Sequence, residues 1–468
     1  MSSIAYLSKN SESFDSVEED DSDDEDLATL GITLPPSEIS LPRPICSKKE
    51  EWISEKIKKC MVICDFKQDS IDDIEEKTES LDDLLEFFIQ DPGPMSRDIY
   101  GQLFDMFSVN LCRKIPQSVK RCYDPEEDSH TMEEAWPHLK LVYEIFVRFL
   151  EMSCLRLDYS KVYMSDRFLH EIMELMDSDD PREKDLAKTV VHRIYARFCT
   201  SRPYLRKELC NILLKFIYDT EFFSGISEIL EIFSCIINGL SVPLSEEFVV
   251  FLSKVLVPLH KVKNLSTFLH PLTICLVNFL HKDTNTFKII IEGLIKYWPK
   301  TNSQKEVQFL SEIEELFEAL DSEGFGQVLG PLVSQLSKCV LSPHFQVVER
   351  SLSLFDNPWA WHLVKEHYTK VLPYLMPSLL QRRRGHWNQT VAVLVNNILK
   401  KFKELDPPFF ENVVRECMKP PAEPKKTRKS RNNVDEDSLE EGIWGSEEDN
   451  FEGYFPNTFS GRGDEIEK

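Results

Sequence analysis

Three side chains at helical spacing carry the first chemistry in the sequence. Thr189, His192 and Arg193 stand at i, i+3 and i+4, so one helix face presents them together, and Arg202 follows shortly after. A guanidinium and an imidazole side by side can hold a carboxylate through charge-assisted hydrogen bonds. On a chain of net charge −25, such a basic face asks for a reason. Downstream, Ile226, Ile229, Leu230, Ile232, Phe233, Ile236, Ile237 and Leu240 fall within an arc of roughly 160° at helical spacing. A core-facing stripe needs only about 100°. Leu230 and Ile237, near one end of the arc, can face a core, which leaves Ile232 and Ile236 at the other end to line a groove. An apolar groove edge beside fixed cations suits a peptide with apolar anchors and a carboxylate.

The elements that must position these residues are helices. From residue 47 to 418 the apolar residues recur at helical period: Leu139, Val142, Ile145, Phe146, Phe149 and Leu150 form one stripe, and Phe309, Leu310, Ile313, Leu316, Phe317 and Leu320 another. Pro203, Pro243, Pro271, Pro299, Pro331, Pro358 and Pro377 punctuate the pattern at intervals of about 20 to 40 residues, compatible with paired helices in a HEAT-type array. Only 15 glycines are present, and Asn238-Gly239 follows a helix pattern rather than bridging two alternating runs, which disfavours hairpins. A compact bundle would want fewer and longer helices. Residues 1–46, with the acidic run Glu18 to Asp26, read as a disordered arm, and residues 419–468, with the basic cluster Lys425 to Arg431, as a disordered charged tail.

Composition narrows the function. The 12 cysteines are scattered, and Cys60 and Cys64 lack both a CxxC spacing and a second pair, so the chain reads as reduced and intracellular. The expected location is the cytoplasm, with the nucleus open because Lys425 to Arg431 could serve as an import signal or as a solvated linker. No signal-peptide pattern and no run of about 18 apolar residues is seen. The acidic balance disfavours nucleic acid and anionic membranes as partners. A calcium loop begun at Asp20 would put Glu25 where glycine is required and Gly31 where a bidentate glutamate is required. Neither phosphate-binding glycine motifs, nor H-E-x-x-H, nor G-x-S-x-G occurs, and paired carboxylates such as Glu314 and Glu315 read as a solvated helix face. His138, His260 and His344 read as structural or surface residues, and Arg462-Gly463-Asp464 as chance. No cofactor, metal or catalytic set is expected, and the chain reads as a non-enzyme.

A series of words then occurs in order: Asp124-Pro-Glu-Glu-Asp128, Ala135-Trp-Pro-His-Leu139, Asp179-Asp-Pro-Arg-Glu183, Val191-His-Arg-Ile-Tyr195, Ile236-Ile-Asn-Gly239, Pro258-Leu-His-Lys-Val-Lys263, Lys296-Tyr-Trp-Pro-Lys-Thr301, Ser342-Pro-His-Phe-Gln-Val347 and His386-Trp-Asn388. Together they resemble the B-prime family of regulatory subunits of serine/threonine protein phosphatase 2A, over roughly residues 50 to 415. The resemblance implies an all-α, curved solenoid of HEAT-like helix pairs. It also implies a non-catalytic subunit that binds the phosphatase scaffold and catalytic subunits, and a groove for short Leu-x-x-Ile-x-Glu segments of substrates and adaptors.

Matched position by position, that groove is Thr189, His192, Arg193, Tyr195, Arg202, Ile232 and Ile236. Ser245 stands where the family carries lysine and Phe248 where it carries histidine, so a weaker preference for phosphorylated or acid-rich ligands is expected. Two alternatives are a karyopherin-like transport receptor, which is longer and lacks these words, and an adaptor that keeps the groove without joining the phosphatase. A further alternative for the cations is that Arg193 and Arg202 merely pair with acids of the solenoid. The chain's own match to the ligand pattern, Leu310, Ile313 and Glu315, lies on a helical stripe and is expected to be buried.

Overall fold

The computed structural model describes residues 48–67, 69–115, 132–219, 222–384 and 387–418. The arm 1–46, the tail 419–468 with its basic cluster and Arg462-Gly463-Asp464, the word at Asp124 and His386 lie outside these residues. The described residues form nineteen α-helices and no strand, running from Lys48 to Met418.

Two rows of helices pack on each other. The first row holds α2 (Ile71–Ile89), α4 (Trp136–Glu151), α7 (Pro181–Arg197), α9 (Ile226–Asn238), α11 (Leu269–Lys282), α13 (Ser303–Glu318), α15 (Phe345–Ser353) and α18 (Gln389–Leu405), each touching the next. The second row holds α1 (Lys48–Cys60), α3 (Arg97–Leu111), α6 (Asp166–Glu174), α8 (Arg202–Leu214), α12 (Thr286–Lys296), α14 (Ser322–Val340), α17 (Tyr368–Arg384) and α19 (Pro407–Met418). Between α8 and α12 that row continues through α10 (Glu246–Phe251), a π-helical turn at 252–256 and a 3-10 turn at 257–261, which touch both neighbours. Short α5 (Leu157–Lys161) and α16 (Pro358–Glu366) fill connections. Successive helix pairs sharing one continuous core are what a HEAT-like solenoid requires.

The helices follow from their stripes and caps. Every stripe residue of α4 is buried, and Phe107 from α3 stacks on Phe146 at 4.3 Å between centroids. Leu310 and Ile313 are fully buried in α13, as expected for a core stripe rather than a ligand segment. At the junctions, Asn302, Asp321 and Asn357 accept from backbone N–H groups of the first turns of α13, α14 and α16, at 3.0, 2.8 and 2.9 Å. Two of the expected breaks are corrected: Pro331 lies inside α14 and Pro377 inside α17. Proline removes one N–H and crowds the preceding turn. Buried Val328, Leu329, Leu332 and Val333 on either side of Pro331 keep α14 pressed to the core across that defect.

Two fully buried carboxylates are each met by partner groups. Glu183, fully buried in the first turn of α7, receives Arg113 (2.7 and 2.8 Å), the Tyr143 hydroxyl (3.1 Å) and the Ser178 hydroxyl (2.6 Å). His260 is also fully buried, with Nε2 3.0 Å from Glu312 and Nδ1 2.8 Å from the Val257 carbonyl. No described helix is long and apolar enough to cross a membrane.

Candidate peptide-binding site

α7 begins where Asp180 accepts from the Arg182 N–H at 3.0 Å and Pro181 takes the first helical position. Its core face is Ala187, Val190, Val191 and Ile194, all buried. The flanking positions Thr189, His192, Arg193 and Tyr195 are half-buried. Thr189 spends its hydroxyl on the Asp185 carbonyl, 2.9 Å away in its own helix.

A tight 3-10 turn, Cys199–Ser201, brings Arg202 back against the end of α7. Its guanidinium donates to the carbonyls of Tyr195 (2.9 Å) and Ala196 (3.0 Å) and lies 5.3 Å from the Tyr195 ring centroid. These are terminal carbonyls without partners in their own helix, and a cation there also complements the helix dipole.

α9 supplies the apolar side, though differently from the sequence expectation. Ile232 and Ile236 do not present an open groove edge: they are 1% and 6% exposed. α9 packs between α7 and α11, and Phe233 meets Phe251 at 4.5 Å, so the helix is covered from three directions. The wide apolar arc is the signature of that burial.

The cations are also less free than their types suggest. Lys188 bridges Asp185 and Glu231, both at 2.7 Å. Arg193 Nε lies 2.9 Å from Glu151 Oε1, an ion pair whose alignment falls short of a hydrogen bond. The alternative reading, pairing with solenoid acids, therefore holds for Arg193, whereas Arg202 is held by backbone carbonyls. Among the described residues, no three His, Cys, Asp or Glu side chains gather as a metal site would need.

Residues 39–444 match the family described as protein phosphatase 2A regulatory B subunit (B56 family). This chain belongs to the B56 family. It is 43% identical over 370 residues to the mouse 56 kDa regulatory subunit alpha isoform, covering 78% of this chain and 76% of that one. The human delta isoform is 42% identical over 375 residues, or 79% of this chain and 62% of the longer relative. The Caenorhabditis elegans regulatory subunit pptr-1 is 41% identical over 364 residues, covering 77% and 67%. All three are named regulatory subunits of serine/threonine protein phosphatase 2A, and the family resemblance drawn from the ordered words is borne out.

In this B56 chain the seven matched positions fall on neighbouring α7, the start of α8, and α9. One residue missing from the sequence reading joins them. Arg206, one turn after Arg202 on α8, donates to the Tyr195 hydroxyl at 3.2 Å, lies 3.8 Å from Glu247 and sits 6.0 Å from the centroid of Phe248. Its i+4 spacing from Arg202 was the available signal. Phe248 thus packs with a cation. Ser245 stands exposed at the N-cap of α10 without a side-chain capping bond.

His192 is corrected from fixed cation to neutral donor: burial pulls its pKa below the usual 6.5, and neighbouring Arg193 and Lys188 push the same way. An NMR titration is therefore expected to give a His192 midpoint below 6.5. The unfolded chain takes up this proton near pH 6.5, where the folded chain refuses it. The group's contribution to stability is complete above that pH and declines as pH falls through it. A His192 midpoint at or above 6.5 would contradict the burial argument.

Proposed function

We propose that this chain is the non-catalytic subunit of a protein phosphatase 2A holoenzyme. It joins the scaffold and catalytic subunits and recruits substrates and adaptors carrying Leu-x-x-Ile-x-Glu segments, directing serine/threonine dephosphorylation. What supports the site is that half-buried His192, Arg193 and Tyr195 stand on α7, which packs against α9, the helix of Ile232 and Ile236. Because those isoleucines are already buried, the apolar gain comes from the ligand's own leucine and isoleucine, about 1.5–3 kcal/mol each when fully desolvated. Arg193 and His192 would hold the ligand glutamate by charge-assisted bonds, about 1.5–3 kcal/mol for each bond.

Titrating a labelled Leu-x-x-Ile-x-Glu peptide tests this. Arg193→Ala is expected to weaken binding about 10- to 100-fold. Affinity is expected to rise as pH falls from 7.5 toward 6, since a bound carboxylate raises the His192 pKa and binding then takes up a proton. Equal binding by wild type and Arg193→Ala, or none by either, would remove the site. Co-purification with the scaffold and catalytic subunits tests the assembly. Peptide binding without assembly would leave a scaffold-independent adaptor.

A further inference from the structure

Arg193 enters the proposed site with its charge already answered. Glu151, the last residue of α4, sits 2.9 Å from Arg193 Nε, and the two side chains are 31% and 38% exposed, so water and a ligand can reach the pair. Glu151 has a second cation of its own: its other oxygen, Oε2, lies 3.3 Å from Arg148 Nη1 one turn back. Among the described residues, the Arg193 Nη groups make no hydrogen bond, so the outer edge of the guanidinium fork remains open to a carboxylate. A ligand glutamate arriving there meets a like charge on the same guanidinium. It must share Arg193 with Glu151 or turn it over to Arg148.

We infer that Glu151 limits the affinity of this site for its ligand's carboxylate by neutralising Arg193 in the free chain. The inference rests on the peptide-site reading above. It gives Glu151 a role apart from holding α4 to α7, a contact that Arg197 makes separately through the Met152 carbonyl at 2.5 Å. A half-exposed ion pair is weak enough to yield to a ligand and strong enough to set a threshold. A peptide whose glutamate is replaced by glutamine carries no charge to be opposed, so it should not sense Glu151.

The test is a double-mutant cycle between Glu151→Gln and the Glu-to-Gln change in a Leu-x-x-Ile-x-Glu peptide. Glu151→Gln is expected to tighten the acidic peptide about two- to fivefold, with the gain shrinking at high salt, and to leave the glutamine peptide unchanged. Thermal unfolding of Glu151→Gln alongside wild type checks that the fold is kept. Unchanged or weaker binding of the acidic peptide would overturn the inference, as would equal tightening of both peptides. If wild type binds the peptide and Arg193→Ala loses it, that failure concerns Glu151 alone. If wild type binds neither peptide, the site reading itself has failed and the inference falls with it.

Discussion

Glu183→Ala is expected to destabilise the protein by about 3–5 kcal/mol and to loosen α3, α4 and α7 ahead of the remaining helices. Glu183 is fully buried, and its two oxygens collect Arg113, Tyr143 and Ser178, which come from the end of α3, from α4 and from the turn before α7. Burial alone would lower the Arg113 pKa, yet the hydrogen bond and charge of Glu183 carry it above its ordinary value. Without the carboxylate, Arg113 keeps only Glu133 at 3.2 Å, a residue 30% exposed, while the Tyr143 and Ser178 hydroxyls lose their acceptor. The cost is the stranded cation and the orphaned donors rather than the intrinsic worth of the pair.

That distinction sets the controls. Glu183→Gln keeps the shape and one acceptor oxygen but not the charge, so it should fall between wild type and alanine. Arg113→Met combined with Glu183→Met should cost clearly less than the two single changes summed, because neither leaves an uncompensated charge behind. Helical arrays open in parts, so the decisive readout is hydrogen–deuterium exchange over α3, α4 and α7 beside chemical denaturation. Alanine at 183 within about 1 kcal/mol of wild type, with exchange unchanged, would mean that the buried cluster holds nothing together.

Much of this architecture could be read from the residues because its signals are local. The stripes of α4 and α13 and the polar caps at Asp180, Asn302 and Asn357 each act within a turn or two of chain. The flank of Thr189, His192 and Arg193 was legible for the same reason. What escaped was whatever crosses between helix pairs. Nothing in the period of α7 reports that Glu151 on α4 neutralises Arg193, or that Glu231 on α9 reaches Lys188. The wide arc of α9 suggested a groove because periodicity gives the width of an apolar face without saying how many neighbours cover it. The ordered words proved partly structural. Asp179 to Glu183 contains the α7 cap, the buried carboxylate and Arg182, whose guanidinium lies 4.7 Å from the ring of Trp136 in a second word.

Gly225→Ala is expected to lower stability at the upper end of about 1–3 kcal/mol and to weaken motif-peptide binding severalfold. Gly225 caps the start of α9, and its φ of −91° is open to any residue, so the constraint is space rather than conformation. A Cβ there would stand 2.3 Å from the Met176 carbonyl oxygen and 2.9 Å from the carbonyl carbon. Backbone cannot swing aside as a side chain can, so the turn before α9 must withdraw from the turn after α6. The same turn is pinned by the Ser224 N–H on Asp177 at 2.6 Å and by Lys184 on the Ser224 hydroxyl at 3.0 Å, so withdrawal strains both contacts. It also shifts α9, with Ile232 and Ile236, against α7, with His192 and Arg193, which is the spacing the proposed site depends on. Gly239, at the other end of the same helix, supplies the control. Its Cβ would find nothing nearer than 3.5 Å, so Gly239→Ala should stay within about 0.5 kcal/mol of wild type and bind peptide normally. Since both changes are glycine to alanine at an end of α9, a difference between them isolates the Met176 contact from the general effect of losing a glycine. Equal thermal stability and equal peptide affinity for the two variants would show that the α7 to α9 spacing does not depend on Gly225.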